Sequence, residues 1–223
     1  MSSLSGNQQA ASAAGLQSEK QGATLAFLTV IGIALYVVLD VIAQLLPPHY
    51  SPIRQPESDL AVGPYGWVMA INFVLRGLLS FAFIAALIKG TTAAGRSRVG
   101  LILLGIWAVG ALLLAAFPTD VGTPITRHGA IHLLVALVAF ICVAVGEILL
   151  SRRFAAEARW QSFRRPVLTI AIITLIACVL TLVALRTPGL DRLGGLTERL
   201  FLGLALLWML VVAQRLRALP ASA

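Results

Sequence analysis

The chain is predicted to be all-α, a polytopic membrane bundle of about six transmembrane helices. Three observations predict it. The apolar residues fall in runs of roughly 20, each long enough to cross a hydrocarbon core of about 30 Å at about 1.5 Å per residue. Charged residues make up 12% of the chain against 59% hydrophobic, about half the charged fraction of a soluble domain, and the mean hydropathy is +0.92. The basic residues sit in the short loops between the apolar runs. A transmembrane β-barrel is excluded, because its strands alternate and are only about 10 residues long.

Residues 1–22 are Ser, Ala, Gln and Gly with little apolar content, and composition predicts a disordered cytoplasmic tail. They lack the basic n-region and short apolar stretch of a signal peptide. The six-helix transmembrane domain is expected over 23–217, followed by a short C-terminal tail at 218–223. The first helix is expected over 23–46, where Pro47 and Pro48 stop it, since proline lacks the N–H a helix needs and biases the residue before it away from helix. A polar loop rich in Pro and Gly leads to a second helix over 67–88. The third helix is expected over 99–117 and ends at Pro118. The stretch FPTDVGTPITRHGAIH, residues 117–132, links it to a fourth helix ending near 150. A loop rich in arginine precedes a fifth helix over 166–185, with Pro166 in its first turn, where proline is tolerated. The sixth helix is expected over 196–212, closed by Arg215 and Arg217.

The net charge of +8 reads as topology, not as a nucleic-acid footprint, because of where the cations fall. The second loop carries Lys89, Arg96 and Arg98 without an acid, and the fourth has five arginines against Glu157. The first loop sets Arg54 against Glu57 and Asp59, and the third sets Arg127 against Asp120. Cations thus favour alternate loops, as the positive-inside rule requires of an even number of spans. The expectation is a multi-pass protein of the cell membrane with both termini cytoplasmic. Tyr50, Tyr65, Trp67 and Trp160 fall near span boundaries, where aromatic side chains anchor. Cys142 and Cys178 lie inside apolar runs and read as small core residues.

Ionisable groups within a span are costly and usually have a partner or face water. Asp40, Asn72, Arg76, Asp120, His128, His132, Glu198 and Arg199 all fall toward the end of the bundle expected to face outward. Asp40 and Arg76 suggest either an ion pair between neighbouring helices or a charged ligand pocket. Glu147, toward the other end, is expected to snorkel to Arg152 and Arg153. His128 and His132 share one helical face at i, i+4, a spacing that suits two metal ligands, with Asp120 as a third. Ser51 and Ser58 in the first outer loop are candidate nucleophiles. Gly105 and Gly110 on the third helix read as close-packing positions. The chain contains no P-loop, no CxxC and no HExxH.

The stretch YSPIRQPESDLAVGPYGWVMAINFVLRGLL, then FPTD with HGAIH downstream, then LTERLFLGLALLWMLVVAQRL, resembles the domain-of-unknown-function family 998 of bacterial and archaeal membrane proteins. The resemblance implies a helical membrane protein of about six spans without an established activity. It also implies that the family's recurring polar positions fall here on Ser51, Ser58, Asn72, Asp120, His128, His132, Glu198 and Arg199. More remotely, the chain is similar to the CREST membrane hydrolases, which set Ser, Asp and His around zinc near one membrane face. It has one span fewer than those, and its remaining histidine, His49, lies in a loop, not on a late helix.

Two functional readings follow. In the first, an outward-facing cluster that includes Asp40, Ser51, Ser58, Asn72, Arg76, Glu198 and Arg199 binds a small ligand, a lipid headgroup or an ion. In the second, a zinc ion held by Asp120, His128 and His132 activates water against a lipid of the outer leaflet. A transporter is disfavoured, since no internal repeat and no helix broken mid-span is evident.

Overall fold

The computed structural model describes residues 2–122 and 124–218. Among these residues there are six long helices: α1 (Ser2–Leu45), α2 (Gly66–Gly90), α3 (Arg98–Ala116), α4 (Arg127–Arg153), α5 (Arg164–Ala184) and α6 (Gly194–Ala218). All six are long and apolar enough to span a bilayer. Each packs on its neighbour in sequence, and α6 returns to α1, so the six close into a ring. Helix α6 also touches α2 and α4 across the interior.

Helix α1 continues through residues 2–22, where composition predicts disorder. That stretch contains no proline and is rich in Ala, Gln and other adequate helix formers, so a helix already nucleated in the span extends at little cost. At 44 residues it measures about 66 Å, so it projects well beyond any bilayer. Its projecting part is tied down: Lys89 Nζ donates to Gln21 Oε1 at 2.7 Å, and Arg159 pairs with Glu19 at 3.2 Å. At the other terminus α6 runs on to Ala218, and the rest of the expected tail lies outside the described residues.

Local chemistry sets the helix starts. Ser97 caps α3 by accepting from the Gly100 N–H, and Thr126 caps α4 by accepting from the Gly129 N–H. Helix α4 therefore begins at Arg127, inside the stretch that the sequence marks as a linker, and both His128 and His132 are helical.

The interior is aromatic. Phe83 meets Trp208 edge-on at 5.7 Å, and Phe140 meets Phe201 at 4.7 Å. Large apolar side chains such as Leu28, Val38, Leu134 and Ile176 face outward, as lipid contact demands. Trp160 is fully buried and stacks on Phe154 at 4.2 Å, so it is a core residue and not an interfacial anchor. Helices α3 and α4 approach closely at Gly100 and Gly146, where a Cβ on either would lie within about 3.2 Å of the other's carbonyl oxygen. Gly110 packs against Ala139, but Gly105 faces open space and takes no part in that contact.

The two ends differ. One, the basic end, is latched by Glu157, which accepts from Thr92 and pairs with Arg159; Arg159 in turn donates to the Gly90 carbonyl. The other, the acidic end, carries the 46–65 loop. Glu147 does not reach the arginines of the basic end. It is fully buried against Thr174 of α5, and no ion pair reaches it among the described residues. Arg152 and Arg153 are five and six positions further along α4, which turns them to other faces of the helix.

Candidate functional site

The 46–65 loop folds back over the acidic end of the bundle. Arg199 of α6 holds it there. Its guanidinium donates to the carbonyls of Pro52 and Gln55, each at 3.2 Å, and to the Tyr50 hydroxyl at 2.6 Å. The Leu196 N–H reaches the Ile53 carbonyl at 3.0 Å. Gly195 permits this approach, since a Cβ there would fall 2.2 Å from the Gln55 oxygen. The anchored loop forms a short 3-10 turn over Glu57–Ala61, which carries Glu57 and Leu60 inward.

Glu57 is the centre of the resulting network. The Tyr36 hydroxyl of α1 donates to its carboxylate. The Glu57 N–H donates to Glu198 Oε2 of α6 at 2.6 Å, a contact across 141 residues of chain. Burial pushes the Glu57 carboxyl from its ordinary 4.5 up to about 7, with the nearby Asp40 charge adding and the Arg76 charge opposing. Burial likewise raises Asp59 to about 6, against the pull of Arg199.

Beneath the loop lies a cavity of about 540 Å³, within the range of small-molecule sites. Its polar wall contains Glu57, Ser58, Asp59, Arg76, His132 and Glu198, with Asp120 at the rim. Its deeper wall is apolar: Leu114 of α3, Leu137 and Phe140 of α4, Leu182 of α5 and Leu202 of α6. Leu133 of α4 and Leu185, the C-cap of α5, line the cavity and are partly exposed.

Arg76 is 2% exposed. The anticipated ion pair with Asp40 is absent, and no ion pair reaches Arg76 among the described residues. Its guanidinium carbon instead lies 4.5 Å from the Trp107 ring, 5.1 Å from Phe73 and 5.9 Å from Tyr36. Its Nε has no hydrogen-bond partner. Three rings supply cation–π attraction, yet a buried cation still lacks an anion in direct contact. Asp40 instead takes the Gln44 amide at 2.6 Å and lies within electrostatic reach of Glu57 and Arg199.

The sequence candidates divide accordingly. Ser58, Arg76, Asp120, His132 and Glu198 share the cavity. Asn72 ties α2 to α1 by donating to the Tyr36 carbonyl at 3.2 Å. Ser51 caps the loop's own turn, its N–H bound to Gln55 Oε1 at 2.8 Å. Arg199 is the loop anchor. Glu57 and Tyr36 are central here, and sequence reasoning missed them. Tyr36 stands one helical turn before Asp40, a spacing that places both on one face of α1.

The three side chains expected to hold zinc each make other contacts. Asp120 accepts from the Thr126 N–H at 2.6 Å and from its hydroxyl at 3.0 Å. His132 Nδ1 is bound to the Phe117 carbonyl at 2.7 Å. His128 rests on the Phe117 ring, 5.5 Å between centroids. Among the described residues no group of three or more His, Cys, Asp or Glu is placed to hold a metal ion.

Comparison with known proteins adds a family. A family model described as "Protein of unknown function (DUF998)" matches residues 30–215. No curated protein and no solved structure matches the chain.

Proposed function

Since the chain belongs to the DUF998 family, whose description assigns no activity, we propose from the cavity itself that this integral membrane protein binds an amphiphilic lipid with an anionic head. The head lies against Arg76 and the acyl chain runs along the apolar wall between α4 and α5. One observation carries the reading: a buried guanidinium, without an ion-pair partner among the described residues, lines a cavity that also has an apolar wall. A cation in a membrane interior calls for an anion, and an anionic head supplies it. The partly exposed leucines Leu133 and Leu185 on the cavity wall support an apolar occupant. The excess of cations on alternate loops supports placing the acidic end outside and both termini in the cytoplasm.

The test is native mass spectrometry of the detergent-purified protein titrated with dioctanoyl phosphatidylglycerol. The wild-type protein is expected to carry one lipid. Arg76→Leu is expected to lose it, and so is Leu137→Trp, which fills the apolar wall and leaves the arginine in place. A wild-type protein that takes up no lipid, or variants that retain it undiminished, would overturn the reading.

A further inference from the structure

We infer that the cavity selects a lipid head that carries hydrogen-bond donors, a hydroxyl-bearing phosphodiester head, and that His132 reads that donor. This rests on the reading of the cavity as a lipid site. The argument starts from a carbonyl. His132 Nδ1 lies 2.7 Å from the Phe117 oxygen. A carbonyl oxygen can only accept, so Nδ1 carries the proton and donates it. In the neutral ring the other nitrogen, Nε2, then presents a lone pair. Nε2 has no hydrogen bond to another described residue, and the ring, 2% exposed, lines the cavity. The Phe117 carbonyl is available because α3 has just ended: Phe117 is its C-cap, and the chain turns away at Pro118. The end of one helix thereby sets the tautomer on the next.

The rest of the polar wall points the same way. Glu57, Asp59 and Glu198 present carboxyl oxygens to the same cavity as Arg76, a pure donor. A head with only acceptors, such as a capped phosphate, satisfies Arg76 and offers nothing to His132 Nε2 or to the remaining lone pairs of carboxyls that already accept from Tyr36 and from the Glu57 N–H. A head with an anionic phosphate and hydroxyl groups satisfies both. Unpaired polar groups in a desolvated site are what a receptor built around hydroxyls discriminates by.

Two lipids of equal charge and equal chains separate these cases. Dioctanoyl phosphatidylglycerol carries two head hydroxyls; dioctanoyl phosphatidylmethanol carries none. The purified protein is expected to bind the first about tenfold more tightly, the worth of roughly one net hydrogen bond to a charged or polar site. His132→Asn is the informative variant. Its side-chain amide reproduces the Nδ1 donation to Phe117 and deletes the Nε2 acceptor, so the helix end is kept. It is expected to melt within a few degrees of wild type and to bind the two lipids within about twofold of each other. His132→Phe keeps ring volume and is expected to lose the preference too. Glycerophosphoglycerol, the same head without chains, is expected to bind at least about a hundredfold more weakly, which separates a lipid from a free phosphate ester. If neither lipid binds, the lipid reading itself fails. If both bind equally to wild type, or if His132→Asn retains the preference, the lipid reading stands and the role of His132 is overturned.

Discussion

At the scale of single residues, burial decides what the polar groups do. Glu57 lies in a loop, a place where an acid is ordinarily solvated, but it is 3% exposed. Its carboxyl is raised from 4.5 to about 7. The sign of the consequence is therefore the reverse of a salt-bridged acid. Between these two values the folded protein holds a proton that the unfolded chain releases, so stability falls as pH rises across that window. Asp59, raised to about 6, adds to the same slope. The melting temperature in detergent is expected to be higher at about pH 5 than at about pH 8. Glu57→Gln, which keeps the acceptor for Tyr36, is expected to flatten that difference. An unchanged pH slope in the variant would show that Glu57 does not titrate in this way.

At the scale of elements, the helices meet through small residues, but only some glycines serve. Gly100 sits at the α3–α4 crossing, where a Cβ would fall 2.8 Å from Leu150 Cγ and 3.1 Å from the Gly146 oxygen. Gly105, five residues on, has nothing within 4 Å. Gly100→Leu is expected to cost about 1–3 kcal/mol or more by forcing the two helices apart. Gly105→Leu is expected to be neutral or slightly stabilising, because it adds helix propensity worth about 0.8 kcal/mol and meets no neighbour. Thermal melts of the two variants in one detergent check this, and equal losses would mean that the crossing lies elsewhere.

At the scale of the whole molecule, the ring of six helices is closed at its basic end by the Glu157–Arg159 latch and hollow beneath the loop at its acidic end. Six spans place both termini on one side of a membrane. On the proposed topology that side is the cytoplasm. In a background with Cys142 and Cys178 replaced by Ala, Ile53→Cys in the first loop is expected to react with an impermeant maleimide on intact cells. Ala94→Cys, in the α2–α3 loop, is expected to react only after lysis. The opposite pattern would invert the topology and put the cavity in the inner leaflet.

The family resemblance and the six-span bundle were both legible in the chain. The spans were readable because a bilayer imposes its demand locally: roughly 20 consecutive apolar residues and a break are enough. The caps at Ser97 and Thr126 and the stops at Pro47 and Pro118 are local as well. At the amino terminus, where composition predicts disorder, residues 2–22 continue helix α1. The cavity was legible only in outline. The sequence concentrated polar residues at one end, but it could not say that Asp40 turns from Arg76, that Asp120 spends its oxygens on Thr126, or that Glu57 and not Ser51 is carried inward. Those outcomes depend on how each helix is rotated about its axis and on a loop pinned by Arg199 more than 140 residues away. A hydrophobic run specifies that a helix crosses the membrane. Which of its side chains meet another's is settled only when the ring closes.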